Sequence, residues 1–246
     1  MQLSEYVEDL EIVTDLFGTP STYHPVLLWD GAEGATLVDS GMPGQLELFR
    51  KRLAELGMNL ADIRRIILTH QDMDHIGGAA ALVAETGALV YAHAGDAPYI
   101  QGEKELLKMS PERVKGIAKS LPEEQRARVL SLFSPMPRAH VDQLLRDGEV
   151  LPFHGGIRVI HTPGHTPGHV SLFLERSRIL LSGDALRIEE GRLVGPAPRV
   201  TPDMKEAIAS LSKLLPLPID RVLCYHGGLS DPQPKARLRE IAETVV

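Results

Sequence analysis

The positions of a set of histidine and aspartate residues are the feature of this sequence that most constrains its fold. The stretch LTHQDMDHIGG, residues 68–78, places two imidazoles and two carboxylates at the end of the apolar run RRIILT. The same order, an apolar run and then a histidine or an aspartate, recurs in ATLVDSG, GIRVIHTPGH, RILLSGD and RVLCYH. Strand ends from two sheets can converge on one edge, where rigid elements hold side chains in place. The sequence therefore predicts an α/β fold in which these side chains meet.

Seven side chains in these stretches are candidate metal ligands, which is too many for one ion and suits two. They are His70, Asp72, Asp74, His75, His165, Asp184 and His226. Two ions ~3.5–4 Å apart can orient a carbonyl or phosphoryl oxygen and lower the pKa of bound water toward ~7. A protein nucleophile is then unnecessary. We assign the catalytic role among these residues to Asp74.

The remaining chain predicts two groups of strands, each with helices of its own. The segment PGQLELFRKRLAELG has apolar residues three or four positions apart and predicts a helix between Pro43 and Gly57. TYHPVLLWD, ALVYAH, HVSLFL and the apolar runs above predict strands, and TPDMKEAIASLSKLL and PQPKARLREIAETVV predict helices. Two sheets packed face to face with helices outside accommodate this order. We expect one domain, residues 1–246.

Residues from about 95 to 137 differ from the rest of the chain because they are rich in charged residues and interrupted by prolines. Three predicted short helices, KELLKM, PERVKGIAKS and PEEQRARVLSLF, are separated by prolines. The segment is too short for a core of its own. We expect a helical insertion that caps the site and offers apolar side chains to a substrate.

The charge and the cysteine content exclude several functional classes. The net charge of −7 without a basic tail argues against nucleic acid, whose phosphates need a positive surface. The single cysteine excludes a cysteine-rich zinc module and an intramolecular disulfide. The acidic start has no signal core, and no apolar run approaches the ~20 residues that span a bilayer. We expect a cytoplasmic protein with a small-molecule substrate and no membrane partner; the sequence predicts no oligomeric state.

The chain resembles the metallo-β-lactamase-fold hydrolase superfamily from Leu37 to Gly228. The family's signature is an early aspartate, a His-x-His-x-Asp-His loop, and then a later histidine, aspartate and histidine. The matching positions here are Asp39, His70, Asp72, Asp74, His75, His165, Asp184 and His226. The resemblance implies a four-layer αββα sandwich and two divalent ions, most often zinc.

The resemblance also implies how the ligands divide between the two ions. His70, His165 and residue 72 would hold one ion, whereas Asp74, His75 and His226 would hold the other. Asp184 would bridge them.

Asp72 departs from the family pattern, which has histidine at this position in most members. A carboxylate is a harder ligand than imidazole and favours manganese or iron relative to an all-imidazole site. Two interpretations stay open. Asp72 binds the metal directly, or it points away and only accepts hydrogen bonds near the site.

Other polar residues near the motifs have predicted supporting roles. Asp39 is expected to orient a ligand imidazole, and His161 and His169 to be structural neighbours of His165. Further candidates are His24 and His93 for the pocket lining, His140 and His154 for the surface, and Tyr23, Tyr99 and Tyr225 for proton donation or oxyanion stabilisation.

Hydrolysis of a small ester, thioester or lactone is the reaction that the resemblance and the ligand set favour. The family contains lactonases and glyoxalase II-type thioesterases, and the apolar side chains of the insertion favour an acyl substrate. Two alternatives stay open. One is a non-haem iron redox enzyme related to flavodiiron proteins, which carry a carboxylate at the position of Asp72; the other is a non-catalytic metal-binding protein.

Overall fold

Two β-sheets form the centre of the computed structural model, which describes residues 1–15, 20–31, 33–231 and 234–244. The first sheet contains β1 (Gln2–Ser4), β2 (Val7–Asp9), β5 (Val26–Leu28), β6 (Ala35–Val38), β7 (Ile63–Ile67), β8 (Leu89–His93) and β9 (Gln143–Leu145), adjacent in that order. The second contains β10 (Val150–Leu151), β11 (Ile157–His161), β12 (Val170–Leu174), β13 (Ile179–Leu181), β16 (Arg221–Cys224) and β17 (Gly228–Leu229), again in order. Two hairpins pair β3 (Ile12–Thr14) with β4 (Ser21–Tyr23) and β14 (Arg187–Glu189) with β15 (Arg192–Val194).

Helices lie on the outer faces of both sheets and along one edge of them. They are α1 (Leu46–Glu55), α2 (Met73–Ile76), α3 (Ala79–Thr86), α4 (Ala97–Ile100), α5 (Pro111–Lys119), α6 (Glu123–Leu132), α7 (Met204–Ser210) and α8 (Lys235–Ala242). None of the helices in the described ranges combines the length and apolar character needed to cross a bilayer.

Neighbouring apolar residues on the strands pack on opposite faces, because side chains alternate along a strand. In β7, Ile66 packs with the residues of α1 and α3, whereas Ile67 packs between the sheets. In β13, Leu180 packs with the residues of α7 and α8, and Leu181 faces the other sheet. The three cores separate four layers, and the αββα sandwich implied by the sequence resemblance is confirmed.

Strand direction brings the predicted ligands to one edge of this sandwich. β6, β7 and β8 run parallel in the first sheet, and β13 and β16 run parallel in the second. β12 is antiparallel to both β11 and β13, so β11 and β13 end at the same edge. The loops after β6, β7, β11, β13 and β16 therefore leave the sheets side by side.

Segment 95–137 packs on this edge through a cluster of its own. Val114 and Ala118 of α5 and Val129 of α6 are buried against Met42 and Tyr225, which belong to the site edge. Helices α5 and α6 agree with the predicted second and third helices of the segment. The placement brings the segment beside the predicted ligands.

Several predicted elements are wrong or differ in extent. KELLKM forms no helix; the backbone N–H of Leu107 donates to the Gln71 side chain instead, and six residues are too few to nucleate a helix without tertiary support. TYHPVLLWD is two strands, because Pro25 offers no N–H to a ladder. The final helix is shorter than predicted, and residues 232, 233, 245 and 246 of that prediction lie outside the described residues.

Candidate metal centre

Four predicted ligands, from the loops after β7, β11 and β13, form a group that we call the Asp72 group: His70, Asp72, His165 and Asp184. Each offers one atom within 4.8 Å of the others. His165 Nε2 lies 3.0 Å from Asp72 Oδ2 and 3.3 Å from Asp184 Oδ2. His70 Nε2 lies 3.5 Å from Asp72 Oδ2. The Asp72 side chain thus points into the group and not away from it.

The other three predicted ligands form a second group, which we call the Asp74 group: Asp74, His75 and His226. His226 Nε2 lies 3.2 Å from Asp74 Oδ2, and His75 Nε2 lies 3.8 Å from the same oxygen. Asp184 contacts this group as well, with Oδ1 3.3 Å from His75 Nε2 and Oδ2 3.4 Å from His226 Nε2. One carboxylate therefore touches both groups.

The donor atoms of these groups fit divalent cations. Among the described residues, the buried atoms His70 Nε2, His75 Nε2 and Asp184 Oδ1 have no hydrogen-bond partner. Buried polar atoms are normally paired, so unpaired ones that converge on one point need another partner. Imidazole nitrogen and carboxylate oxygen suit zinc, manganese or iron.

In three of the imidazoles, Nδ1, the ring nitrogen that faces away from the ligand groups, makes a hydrogen bond. His75 Nδ1 donates to Asp39 Oδ2 at 2.9 Å, which is the arrangement that the sequence predicts for Asp39. His70 Nδ1 lies 3.0 Å from Thr69 Oγ1, and the Thr69 hydroxyl in turn donates to Asp39. His165 Nδ1 lies 3.1 Å from Thr201 Oγ1. Such bonds leave Nε2 free to bind a metal and fix the orientation of each ring.

His169 positions the carboxylate that both groups share. The backbone N–H of Asp184 donates to His169 Nε2 at 3.0 Å, and His169 Nδ1 bonds Thr162 Oγ1 at 2.9 Å. Gly183, the residue before Asp184, has φ +52°, and a Cβ there would lie 2.7 Å from His169 Nε2. Only glycine permits this close approach.

The electrostatic environment keeps the carboxylates ionised. Burial raises the pKa of Asp72, but the adjacent His70 and the charge of Lys108 hold that pKa well below its usual range. Burial likewise opposes ionisation of Asp184, yet His226 and His75 hold its pKa well below the ordinary value. Burial lowers the pKa of His226, but Asp184 outweighs it and raises this pKa to about 10. The carboxylates of the cluster thus stabilise the protonated form of His226.

Lys108, from the segment 95–137, belongs to the site although the sequence analysis did not identify it. Its Nζ lies 2.7 Å from Asp72 Oδ2 and 2.7 Å from His165 Nε2. A positive charge thus already contacts two members of the Asp72 group. Lys108 lies 36 positions after Asp72, and no local pattern in KELLKM distinguishes it from a surface lysine.

Asp96 is a second residue that the sequence analysis missed. This buried carboxylate accepts hydrogen bonds from the Gln71 backbone at 2.9 Å and the Gln71 side chain at 3.0 Å. It also accepts from Thr166 Oγ1 at 2.6 Å and from the Gly168 backbone at 2.8 Å. Asp96 thereby joins the loop of Asp72 to the loop of His165.

A cavity of about 180 Å³ opens beside the two groups. Its polar lining includes Asp72, Asp74 and Lys108, and residues of the segment 95–137 form one wall. The remaining lining residues are Tyr23, Met42, Gln71, Met73, Leu106, Met109, Arg113 and Val200. The cavity is therefore largely apolar away from the carboxylates.

The other predicted histidines lie outside the two ligand groups. His93 and His161 stack on each other with ring centroids 4.0 Å apart, and His161 Nε2 donates to the Pro167 carbonyl. His24 Nδ1 donates to the Asp9 carboxylate at 2.9 Å. His140 is exposed, as predicted. The surface prediction for His154 is wrong, because this ring is buried and bonds Thr36 Oγ1 at 2.9 Å.

One of the three candidate tyrosines lines the cavity. Tyr23 does so, and burial together with the Asp74 charge raises its pKa to about 12, so its hydroxyl stays protonated. Tyr225 donates its hydroxyl to the backbone carbonyl of Asp74 and not toward the cavity. Tyr99 lies beside Lys104 in a neighbouring cavity.

The fold and the ligand groups are those of a metal-dependent hydrolase of the αββα class. The model of the metallo-β-lactamase superfamily matches residues 18–226. The chain is 32% identical over 208 residues to the probable metallo-hydrolase YflN of Bacillus subtilis, covering 78% of this chain and 74% of that protein. The chain belongs to the metallo-β-lactamase superfamily.

Two further relatives support this assignment. The hydroxyacylglutathione hydrolase GloC of Haemophilus influenzae is 30% identical over 205 residues, covering 82% of this chain and 84% of that protein. The crystal structure of the metallo-β-lactamase family protein TTHA1429 of Thermus thermophilus superposes with a TM-score of 0.71 at 28% identity. The match covers 98% of this chain and 79% of that structure.

Proposed function

We propose that this protein hydrolyses a small ester, thioester or lactone with the help of two divalent metal ions. The observation that carries the proposal is the contact of Asp184 with both ligand groups, through His75 Nε2 at 3.3 Å and His165 Nε2 at 3.3 Å. A carboxylate shared by two sets of imidazole and carboxylate donors suits two ions and not one.

The seven candidate ligands would hold the two metal ions in two sets. His70, Asp72 and His165 would hold one ion, Asp74, His75 and His226 would hold the other, and Asp184 would contact both. When bound, the pair would lower the pKa of water and polarise the substrate carbonyl.

Asp74 lines the cavity, so its carboxylate is in reach of the attacking water and can accept its proton. The protonated hydroxyl of Tyr23, which lines the same cavity, can donate a hydrogen bond to a substrate oxygen.

The cavity lining favours an acyl substrate. Met42, Met73, Leu106 and Met109 give the cavity apolar walls beside the carboxylates. One relative is a hydroxyacylglutathione hydrolase, which supports a thioester, and the apolar walls support a lactone or acyl ester equally. We further propose that segment 95–137 caps this cavity within a single domain.

The test is turnover by the purified protein loaded with zinc or manganese, on panels of lactones, thioesters, phosphodiesters and β-lactams. We expect turnover of a carboxylic ester, thioester or lactone. Asp74→Asn should lower kcat by about a hundredfold or more, because it removes both a ligand charge and the proton acceptor. His140→Gln, which alters an exposed ring, is the matched control and should leave kcat unchanged. Metal-loaded protein that turns over none of the panels contradicts the proposal.

A redox function of an iron site is the second candidate, and the orientation of Asp72 into its group favours it. A carboxylate among the ligands suits iron or manganese better than a site of imidazoles alone. Metal analysis of the protein as purified separates the candidates. Two zinc or manganese ions per chain support hydrolysis, whereas iron with a visible absorption band supports the redox function.

A further inference from the structure

Lys108 uses the same atoms that a metal ion in the Asp72 group needs. Its Nζ lies 2.7 Å from both His165 Nε2 and Asp72 Oδ2, and these two atoms are 3.0 Å apart. The side chain is mostly buried, with 16% of its surface exposed. The contact is therefore part of the packed site and not a surface ion pair.

The chemistry of His165 makes the two occupants exclusive. An ammonium group only donates hydrogen bonds, so His165 Nε2 accepts from Lys108, and Nδ1 carries the proton that faces Thr201 Oγ1. A neutral imidazole has one acceptor nitrogen with one lone pair in the ring plane. A metal ion bound to His165 must use that lone pair. Lys108 and an ion cannot both bind His165.

Charge adds to this exclusion. Metal–ligand bonds to histidine and carboxylate are ~2.0–2.2 Å long, so an ion bound to both atoms would lie within about 4 Å of the ammonium. The repulsion between the ammonium and a divalent ion at this distance is large in a buried site.

Lys108 also links the site to one wall of the cavity. It lies between Leu106 and Met109, and all three residues line the cavity. The same short segment is held by the hydrogen bond from the Leu107 backbone to Gln71 Oε1 at 3.0 Å. Release of Lys108 therefore removes its contact with Asp72 and leaves the Leu107–Gln71 hydrogen bond to hold this segment to the loop of residues 71–72.

We propose that Lys108 is a built-in competitor for the metal ion of the Asp72 group, and that filling this group releases segment 106–109 and reshapes the cavity wall. The inference rests on the metal ligands of the proposed function. The Asp74 group, which Lys108 does not touch, fills without this competition.

Metal affinity of the Asp72 group tests the competition directly. His226→Gln disables the Asp74 group, and zinc is titrated into this variant against a chromophoric chelator. Adding Lys108→Met, which keeps the length of the side chain without its charge, should tighten zinc binding by about tenfold or more. Lys108→Arg keeps a cation and should bind zinc nearly as weakly as the His226→Gln parent. Lys104→Met, a neighbouring lysine that contacts Tyr99 instead, is the control and should change nothing.

Hydrogen exchange of the unmutated protein tests the release without any variant. Amides of residues 106–109 should exchange faster when two equivalents of zinc are bound than in chelator. Lys108→Met should exchange fast in both conditions.

Zinc that binds with equal affinity with and without Lys108, or exchange that zinc leaves unchanged, overturns the inference and leaves the proposed function intact. Absence of zinc binding in every variant and in the unmutated protein overturns both.

Discussion

Asp184 contacts both ligand groups, with four imidazoles within 3.9 Å of its oxygens. We predict that Asp184→Ala reduces bound metal from two ions per chain to one or fewer. Activity should fall by more than about a hundredfold, because loss of this carboxylate disrupts both groups together. Metal analysis after dialysis and circular dichroism measure occupancy and fold. Full occupancy by two ions in the folded variant would contradict the shared role of Asp184.

Residues in short motifs were predictable, and residues that reach the site from elsewhere were not. The spacing in LTHQDMDHIGG and the later strand ends identified all seven side chains that the structure brings together. Lys108, Asp96 and Thr201 escaped prediction because their contacts depend on how distant loops pack. A buried aspartate or an ion-paired lysine looks like a loop residue in the sequence until its partners are known.

At the scale of elements, the segment 95–137 forms one wall of the cavity. We predict that the double variant Leu106→Ala and Met109→Ala raises KM for an acyl substrate by roughly tenfold, because each loses apolar contact area in the cavity wall. Metal content should stay unchanged, since neither side chain is a ligand. Leu107→Ala, whose side chain is 48% exposed, is the matched control. Loss of metal with an unaltered KM would show that the segment supports the ligands and not the substrate.

Helices whose ends carry capping residues in the sequence were predicted well. Helix α5 has Ser110 as its N-cap, which accepts from the Arg113 backbone, and Pro111 at its first position. Helix α1 ends at Glu55, two residues before Gly57, which has the left-handed φ of +72°. Strands of two or three residues, such as β9, β10, β14 and β15, escaped prediction because they are too short for a recognisable alternation and form only through their partners.

At the scale of the whole molecule, the charge of His226 predicts how the stability of metal-free protein depends on pH. Its pKa is raised from 6.5 to about 10, so its ion pairs with Asp184 and Asp74 contribute fully below pH 6.5 and are lost as the pH rises through 10. The free energy of unfolding of His226→Gln should therefore fall below that of the unmutated protein near neutral pH, and the difference should shrink at alkaline pH. The ring is 37% exposed, so solvent reduces the size of the effect.

Urea unfolding of both proteins in excess chelator, at roughly pH 6 and pH 10.5, measures this difference. A difference that stays constant between the two pH values would place the origin of any destabilisation in packing and not in charge.

The four-layer architecture was predictable from the order of strands and helices and from the resemblance to the metallo-β-lactamase fold. Apolar pairs such as Ile66 and Ile67, which pack on opposite faces of β7, agree with it. The sequence did not reveal how the site loops are fixed to one another, because those bonds join residues far apart in the chain.

The buried carboxylate of Asp96 has a consequence for the kinetics and affinity of metal capture. Its four hydrogen bonds reach residues 25, 70 and 72 positions away, and all four are made by protein groups alone. Because none of these bonds uses an atom of the seven candidate ligands, they can order the loops of Asp72 and His165 without help from an ion. The conformational entropy of arranging them is lost during folding, and an incoming ion meets a rigid receptor whose binding free energy is not reduced by that cost.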